Sequence, residues 1–135
     1  MKTSQYFSES EFRRCSPPCS IEDMEEEFLD VMDDIRRKAG IPLLISSAYR
    51  SSEWDRKKGR SGDGAHTYGV ACDFVCNSSA TRSKILKACH ELGITRIGVS
   101  GSFIHVDIAG GGRTFESHVS KGKTVRFQDN VIWTY

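Results

Sequence analysis

The chain has 135 residues, 38% hydrophobic and 27% charged, with a formal net charge of +1. That length and mix suit a single soluble domain spanning 1–135, long enough to bury about two thirds of its unfolded surface. They exclude a spanning helix, because no apolar run nears the ~18 residues one needs, and they argue against nucleic acid or an anionic membrane as partner.

The N-terminus MKTSQYFSESEF lacks the apolar core of a signal peptide, so the expectation is a protein that is cytoplasmic as made. Five cysteines (Cys15, Cys19, Cys72, Cys76, Cys89) are an odd number and point to reduced thiols rather than a disulfide framework. The C-x3-C pair in CSPPC has no second pair nearby to complete a four-ligand zinc site, and its role stays open.

The first predicted element is a helix over 21–39. Ser20 is its N-cap, with Asp23 in a capping-box position. Ile21, Met24, Phe28, Val31, Met32, Ile35 and Ala39 fall at helical spacing. Acidic residues fill its first turns and Arg36, Arg37 and Lys38 its last, which suits the helix dipole, and Gly40 and Pro42 close it. A buried strand is predicted over 41–47 (IPLLISS), then a polar, glycine-rich loop to His66 with a short helix around 52–58. A strand over 68–76 and a helix over 79–92 follow, the latter capped by Ser78 or Ser79 and ended by Gly93. Strands are predicted at 94–99 and 103–108, and after the glycine-rich AGGG turn at 124–128 and 131–135. This order describes an α+β domain with a mainly antiparallel sheet and helices packed on one face.

Of four histidines, His90 reads as a partly exposed helix residue and His118 as a surface loop residue. His105 lies in SFIHVDIAG, where strand alternation puts Ile104, Val106 and Ile108 on one face and His105 and Asp107 on the other. In YGVACDFVC the same alternation separates Val70, Cys72 and Phe74 from Ala71, Asp73 and Val75, with His66 just upstream. If the two strands are neighbours, His66, Asp73 and His105 converge. Two imidazoles and a carboxylate suit Zn2+ and leave a fourth position for water. Glycine and alanine at 69 and 71 would keep the space between these residues clear.

GAHTYGVACDF resembles the S-x-H-x-x-G-x-A-x-D signature of zinc D-alanyl-D-alanine carboxypeptidases and related peptidoglycan peptidases, and FIHVDI resembles that family's second zinc-histidine strand. The hedgehog signalling domain shares that fold and zinc site. The resemblance runs from the first helix to about Asp107. It implies that His66, Asp73 and His105 are zinc ligands and that Arg50, sixteen residues before His66, faces the active site, where it pairs with a peptide carboxylate or an oxyanion. Tyr49 and Trp54 are candidate cleft residues, Tyr49 for substrate binding.

Two positions depart from the pattern. Gly64 stands where the signature has serine. Ser102 and Phe103 stand where branches of the family place an acid or a histidine, so neither serves as a general base. Asp107, about 6–7 Å along the strand from His105, is the remaining candidate, as base or as a partner that orients a ligand.

The resemblance thus implies a zinc metallopeptidase acting on peptidoglycan stem peptides, similar to the small endolysins of phages and prophages, made in the cytoplasm and acting at the cell wall after release. Two other readings remain: a zinc-bearing binding domain without catalysis, and a wall-digesting component of a phage particle. Which peptidoglycan bond is cut has no code in the loops 51–63 and 110–123. A monomer is expected, although oligomeric state has no signature here.

Overall fold

The computed structural model describes residues 1–135. A helix not expected from periodicity, α1 (Glu9–Arg13), comes first, with Ser8 and Glu11 forming its capping box. Five residues are too few to show a helical repeat, yet α1 delivers Phe12 fully buried to the core.

Ser20 and Asp23 do form a capping box, but it closes only a 3-10 turn, Ile21–Asp23. Met24 returns to extended backbone, and the long helix α2 runs from Glu26 to Ala39. The predicted start at Ile21 is therefore corrected to Glu26. The cause is tertiary: the Glu25 amide donates to the Gly69 carbonyl at 3.0 Å instead of continuing a helix. That approach needs glycine, since a Cβ at Gly69 would lie 2.4 Å from the Asp23 carbonyl oxygen and the residue has φ +72°. Gly69 thus serves the contact with residues 23–25 rather than clearing space between His66 and Asp73.

Phe28, Leu29, Met32 and Ile35 form the buried face of α2, and Gly40 ends it at φ +69°. Asp33, on the same helix, is also buried. It accepts hydrogen bonds from Ser4 Oγ at 2.6 Å and from the Gln5 and Tyr6 amides at 2.9 and 3.1 Å, which pins the N-terminal segment.

The remaining elements are β1 (Ile45–Ser47), α3 (Ser52–Lys57), β2 (Ala71–Val75), α4 (Ser79–Glu91), β3 (Arg96–Val99), β4 (Phe103–Asp107), β5 (Thr114–Glu116), β6 (Thr124–Arg126) and β7 (Val131–Thr134). The main sheet has the order β1-β2-β4-β3-β7. Its first four strands pair antiparallel, but β7 lies parallel to β3, so the sheet is mixed. The expected run of terminal hairpin strands is corrected accordingly: β6 pairs with β5, which carries no clear strand pattern, in a separate antiparallel hairpin, and β7 crosses to the edge of the main sheet.

The two faces of the sheet differ sharply. Cys72 and Phe74 of β2, Ile97 of β3 and Ile104 and Val106 of β4 share one hydrophobic core with α2 and α4. All five cysteines are free and buried, Cys15 and Cys19 within that core. The opposite face presents Ala71, Asp73, His105 and Asp107. A smaller apolar cluster around Ala65, Val70, Ala71 and Ala109 supports it, with Tyr68, Phe115 and Phe127 packed alongside. No helix is long and apolar enough to cross a membrane.

Candidate metal centre

Register places the polar residues. Asp73 of β2 sits directly opposite His105 of β4, which sits opposite Gly98 of β3, which sits opposite Trp133 of β7. One row along, Ala71 faces Asp107 and Asp107 faces Arg96. Side chains in one row share a face of the sheet. His66 comes from a 3-10 turn, Ala65–Tyr68, that leads into β2. Its carbonyl accepts from the Arg50 amide at 3.2 Å, and its Nδ1 donates to the Ala48 carbonyl at 2.6 Å, so the turn is fastened to the chain leaving β1.

Three ligand atoms meet here. His66 Nε2 lies 3.1 Å from His105 Nδ1 and 3.4 Å from Asp73 Oδ1, and His105 Nδ1 lies 3.1 Å from Asp73 Oδ1. All three residues are buried. The far nitrogen of each ring is already committed. The Ala48 carbonyl can only accept, so His66 carries its proton on Nδ1; His105 Nε2 lies 2.7 Å from Asp107 Oδ2 and donates to that carboxylate. The near nitrogens therefore present bare lone pairs to one another and to a carboxylate oxygen. Such lone pairs repel unless a cation lies among them. Donors bound tetrahedrally at 2.0–2.1 Å from zinc stand roughly 3.3–3.4 Å apart, close to the spacing seen. The residues present fit a zinc ion, and His66, Asp73 and His105 are the group that could hold it.

Without a metal a proton can take the cation's place, since His105 Nδ1 then donates to Asp73 Oδ1. Burial pushes the His66 imidazole below its ordinary pKa and outweighs the pull of Asp73. His105 feels the same burial, but hydrogen bonds to Asp107 and Asp73 outweigh it and raise its pKa. Burial works to raise Asp73, yet the two histidines hold its carboxyl well below the usual carboxylate range.

Asp107 lies behind His105, away from the donor cluster. Its Oδ1 accepts from Arg96 Nε at 2.5 Å and from the Ala109 amide at 3.0 Å; its Oδ2 accepts from His105 Nε2 and from Arg96 at 3.2 Å. Both oxygens are engaged and the residue is 1% exposed. The separation of 6–7 Å expected along the strand is bridged because the imidazole leans toward the carboxylate.

Arg50 reaches the cluster from the other side. Its Nε donates to Ser47 Oγ at 3.1 Å, a terminal nitrogen lies 3.4 Å from Asp73 Oδ2, and the guanidinium lies 5.8 Å from the Trp54 ring centroid. Arg50 thus holds the Asp73 oxygen that faces away from the histidines. Tyr49, expected at the cleft, instead packs against the main core. Arg50, next in the chain, takes the cleft side.

The cleft over the donors has a volume of about 360 Å3 and is lined, besides them, by Arg50, Arg60, Phe103, Phe127, Trp133 and Tyr135. Trp133 lies 5.1 Å from the His105 ring, centroid to centroid. A larger apolar groove of about 420 Å3, which includes His90, holds none of the donors. His118 is exposed, but it stacks on Tyr68 at 4.5 Å, and its Nε2 lies 3.1 Å from the Thr67 carbonyl and donates to it. It thereby braces the turn that carries His66.

Sequence reasoning missed Arg60, Arg96, Trp133 and Tyr135. Alternation did carry a signal for Arg96, which shares a strand face with Gly98 opposite Ile97. Using it required knowing that β3 neighbours β4, and Trp133 required the parallel crossover of β7.

A protein-family model described as Peptidase M15 matches residues 5–107. No curated protein matches the chain.

Proposed function

The chain belongs to the peptidase M15 family, and from that premise we propose that it is a zinc-dependent peptidase that hydrolyses peptide bonds in peptidoglycan stem peptides during cell-wall lysis or remodelling. The observation that carries this reading is the convergence of three lone-pair donors, His66 Nε2, Asp73 Oδ1 and His105 Nδ1, with both far imidazole nitrogens tied to acceptors.

Zinc bound there supplies Lewis acidity for a scissile carbonyl and makes water nucleophilic near neutral pH. The protein's own groups do the rest. Asp107 holds the His105 proton on Nε2, and the Ala48 carbonyl holds that of His66 on Nδ1, which keeps the facing nitrogens free to coordinate. Arg50 fixes Asp73 by its second oxygen and brings positive charge to the cleft wall, where a developing oxyanion would be stabilised. Phe103, Trp133 and Tyr135 give the peptide an aromatic wall. Of the two roles open to Asp107, its fully engaged oxygens favour orienting His105.

That same feature supports a second reading, a zinc-bearing binding domain of this fold without catalysis, because Asp73 and Asp107 are the carboxylates lining the cleft and both are committed. One experiment addresses both. Zinc-loaded protein is incubated with defined muropeptides and the products are weighed by mass spectrometry. Zinc bound in equimolar amount with a new peptide product supports the peptidase and identifies the bond. Equimolar zinc with no product from any muropeptide supports the binding domain.

A further inference from the structure

We propose that Arg60 anchors a free carboxylate of the substrate peptide, an assignment that rests on the stem-peptide reading above. Three guanidinium groups line the cleft, and two are occupied by the protein itself. Arg96 is held by Asp107 and donates to the Gln128 carbonyl at 2.6 Å. Arg50 is held by Ser47 and Asp73, is 13% exposed, and lies over Trp54. Arg60 has one anionic neighbour, Asp55 Oδ1 at 3.9 Å, beyond hydrogen-bonding distance, and its side chain is 50% exposed.

Asp55 does not satisfy Arg60. Its carboxylate is buried and lies 4.0 Å from Arg50 as well, so one anion is shared between two cations. Arg50, Arg60 and Arg96 balance Asp55, Asp73 and Asp107 in charge, and the two histidines are neutral in the tautomers described. A divalent cation at the donors therefore leaves the cleft with two positive charges in excess, which favours an anionic ligand.

A guanidinium with free donors matches a carboxylate in a bidentate pair. Arg60 is placed to receive one from outside while the backbone at its base is fixed, its amide donating to the Asp55 carbonyl at 3.1 Å. Stem peptides carry free carboxylates, and amidation removes that charge without shortening the chain.

The test is calorimetric titration of the zinc-loaded full chain with a stem pentapeptide, its carboxylates either all free or all amidated. Cleavage of both peptides is followed in parallel. Wild type is expected to prefer the free acid by about tenfold, a half-exposed charge-assisted pair. Arg60→Ala should reduce that preference to twofold or less, Arg60→Lys should recover part of it, and Arg60→Glu should reverse it. Zinc content and melting temperature are measured for each variant. A wild type that binds both peptides equally, or an Arg60→Ala protein that keeps the tenfold preference, overturns the assignment. A preference that follows Arg60 with neither peptide cut refutes the peptidase reading and leaves the anchor standing. Cleavage with a preference indifferent to Arg60 does the reverse.

Discussion

Asp107 accepts a hydrogen bond from His105 Nε2 at 2.7 Å, across the ring from the Nδ1 that lies 3.1 Å from Asp73. A carboxylate in that place fixes the tautomer and makes the opposite nitrogen a better donor to a metal. Asp107→Asn keeps an acceptor but loses the charge. Its zinc affinity, measured by competition with a chromogenic chelator, is expected to fall about 10- to 100-fold. If Asp107 were instead a general base, the variant would keep wild-type zinc affinity and lose kcat alone.

Arg96 is the partner that makes a buried Asp107 tolerable. The carboxylate side chain is 0% exposed and the guanidinium 11%. Removing one member of such a pair leaves an uncompensated buried charge, which costs on the order of 3 kcal/mol. Arg96→Met should lower the unfolding free energy of the chelator-treated protein by about that amount in urea melts. A loss under about 0.5 kcal/mol, the range of ordinary surface substitutions, would show that the pair is not needed for the fold.

Gly98 faces His105 across β3 and β4, and Trp133 lies over it from β7. A Cβ at Gly98 would fall 2.6 Å from Trp133 Nε1 and 2.9 Å from a Tyr135 ring carbon. Gly98→Ala is therefore expected to push the aromatic wall off His105 and to cost about 1–3 kcal/mol from overpacking. Trp54 and Trp133 are the two tryptophans, so in a Trp54→Phe background the emission of Trp133 reports the shift directly. An unchanged spectrum and melting curve would mean that the wall is not set by this contact.

Strand alternation puts Asp73 and His105 on the polar faces of their strands, because a period of two is local, but joining them to each other and to His66 rests on the family resemblance. What surrounds them was not local. Arg96 meets Asp107 only through the β3–β4 register, and Trp133 meets His105 only because β7 joins the sheet parallel to β3. The start of α2 shows the same limit. Apolar spacing and a capping box both point to Ile21, but a hydrogen bond to Gly69, forty-four residues on from Glu25, pulls the chain out of helix there. Tyr49 and Arg50 were both expected at the cleft, but past the end of β1 no periodicity tells which of the two faces it, and only Arg50 does.

The β5–β6 hairpin is tied to the loop before His66 through Asp63. One Asp63 oxygen accepts from the His118 amide at 3.0 Å and from the Tyr68 hydroxyl at 3.1 Å, and the other from Ser117 Oγ at 2.8 Å. Partial burial opposes ionisation of Asp63, but these three donors outweigh it and hold its pKa below the ordinary value. A depressed carboxyl contributes stability that is present above the unfolded value of about 3.9 and is lost as pH falls through the folded value. The clamp should therefore be closed at neutral pH and open progressively in acid. The His118 amide reports it, since it donates to the carboxylate itself. Its hydrogen-exchange protection factor, corrected for the intrinsic rate, is expected to fall between pH 6 and pH 3 in the wild type. Asp63→Asn, which has no charge to lose, should show low protection at both. Equal protection at both pH values in the wild type would mean that the hairpin is held in place by the stacking of Tyr68 on Phe115 and His118 rather than by this carboxylate.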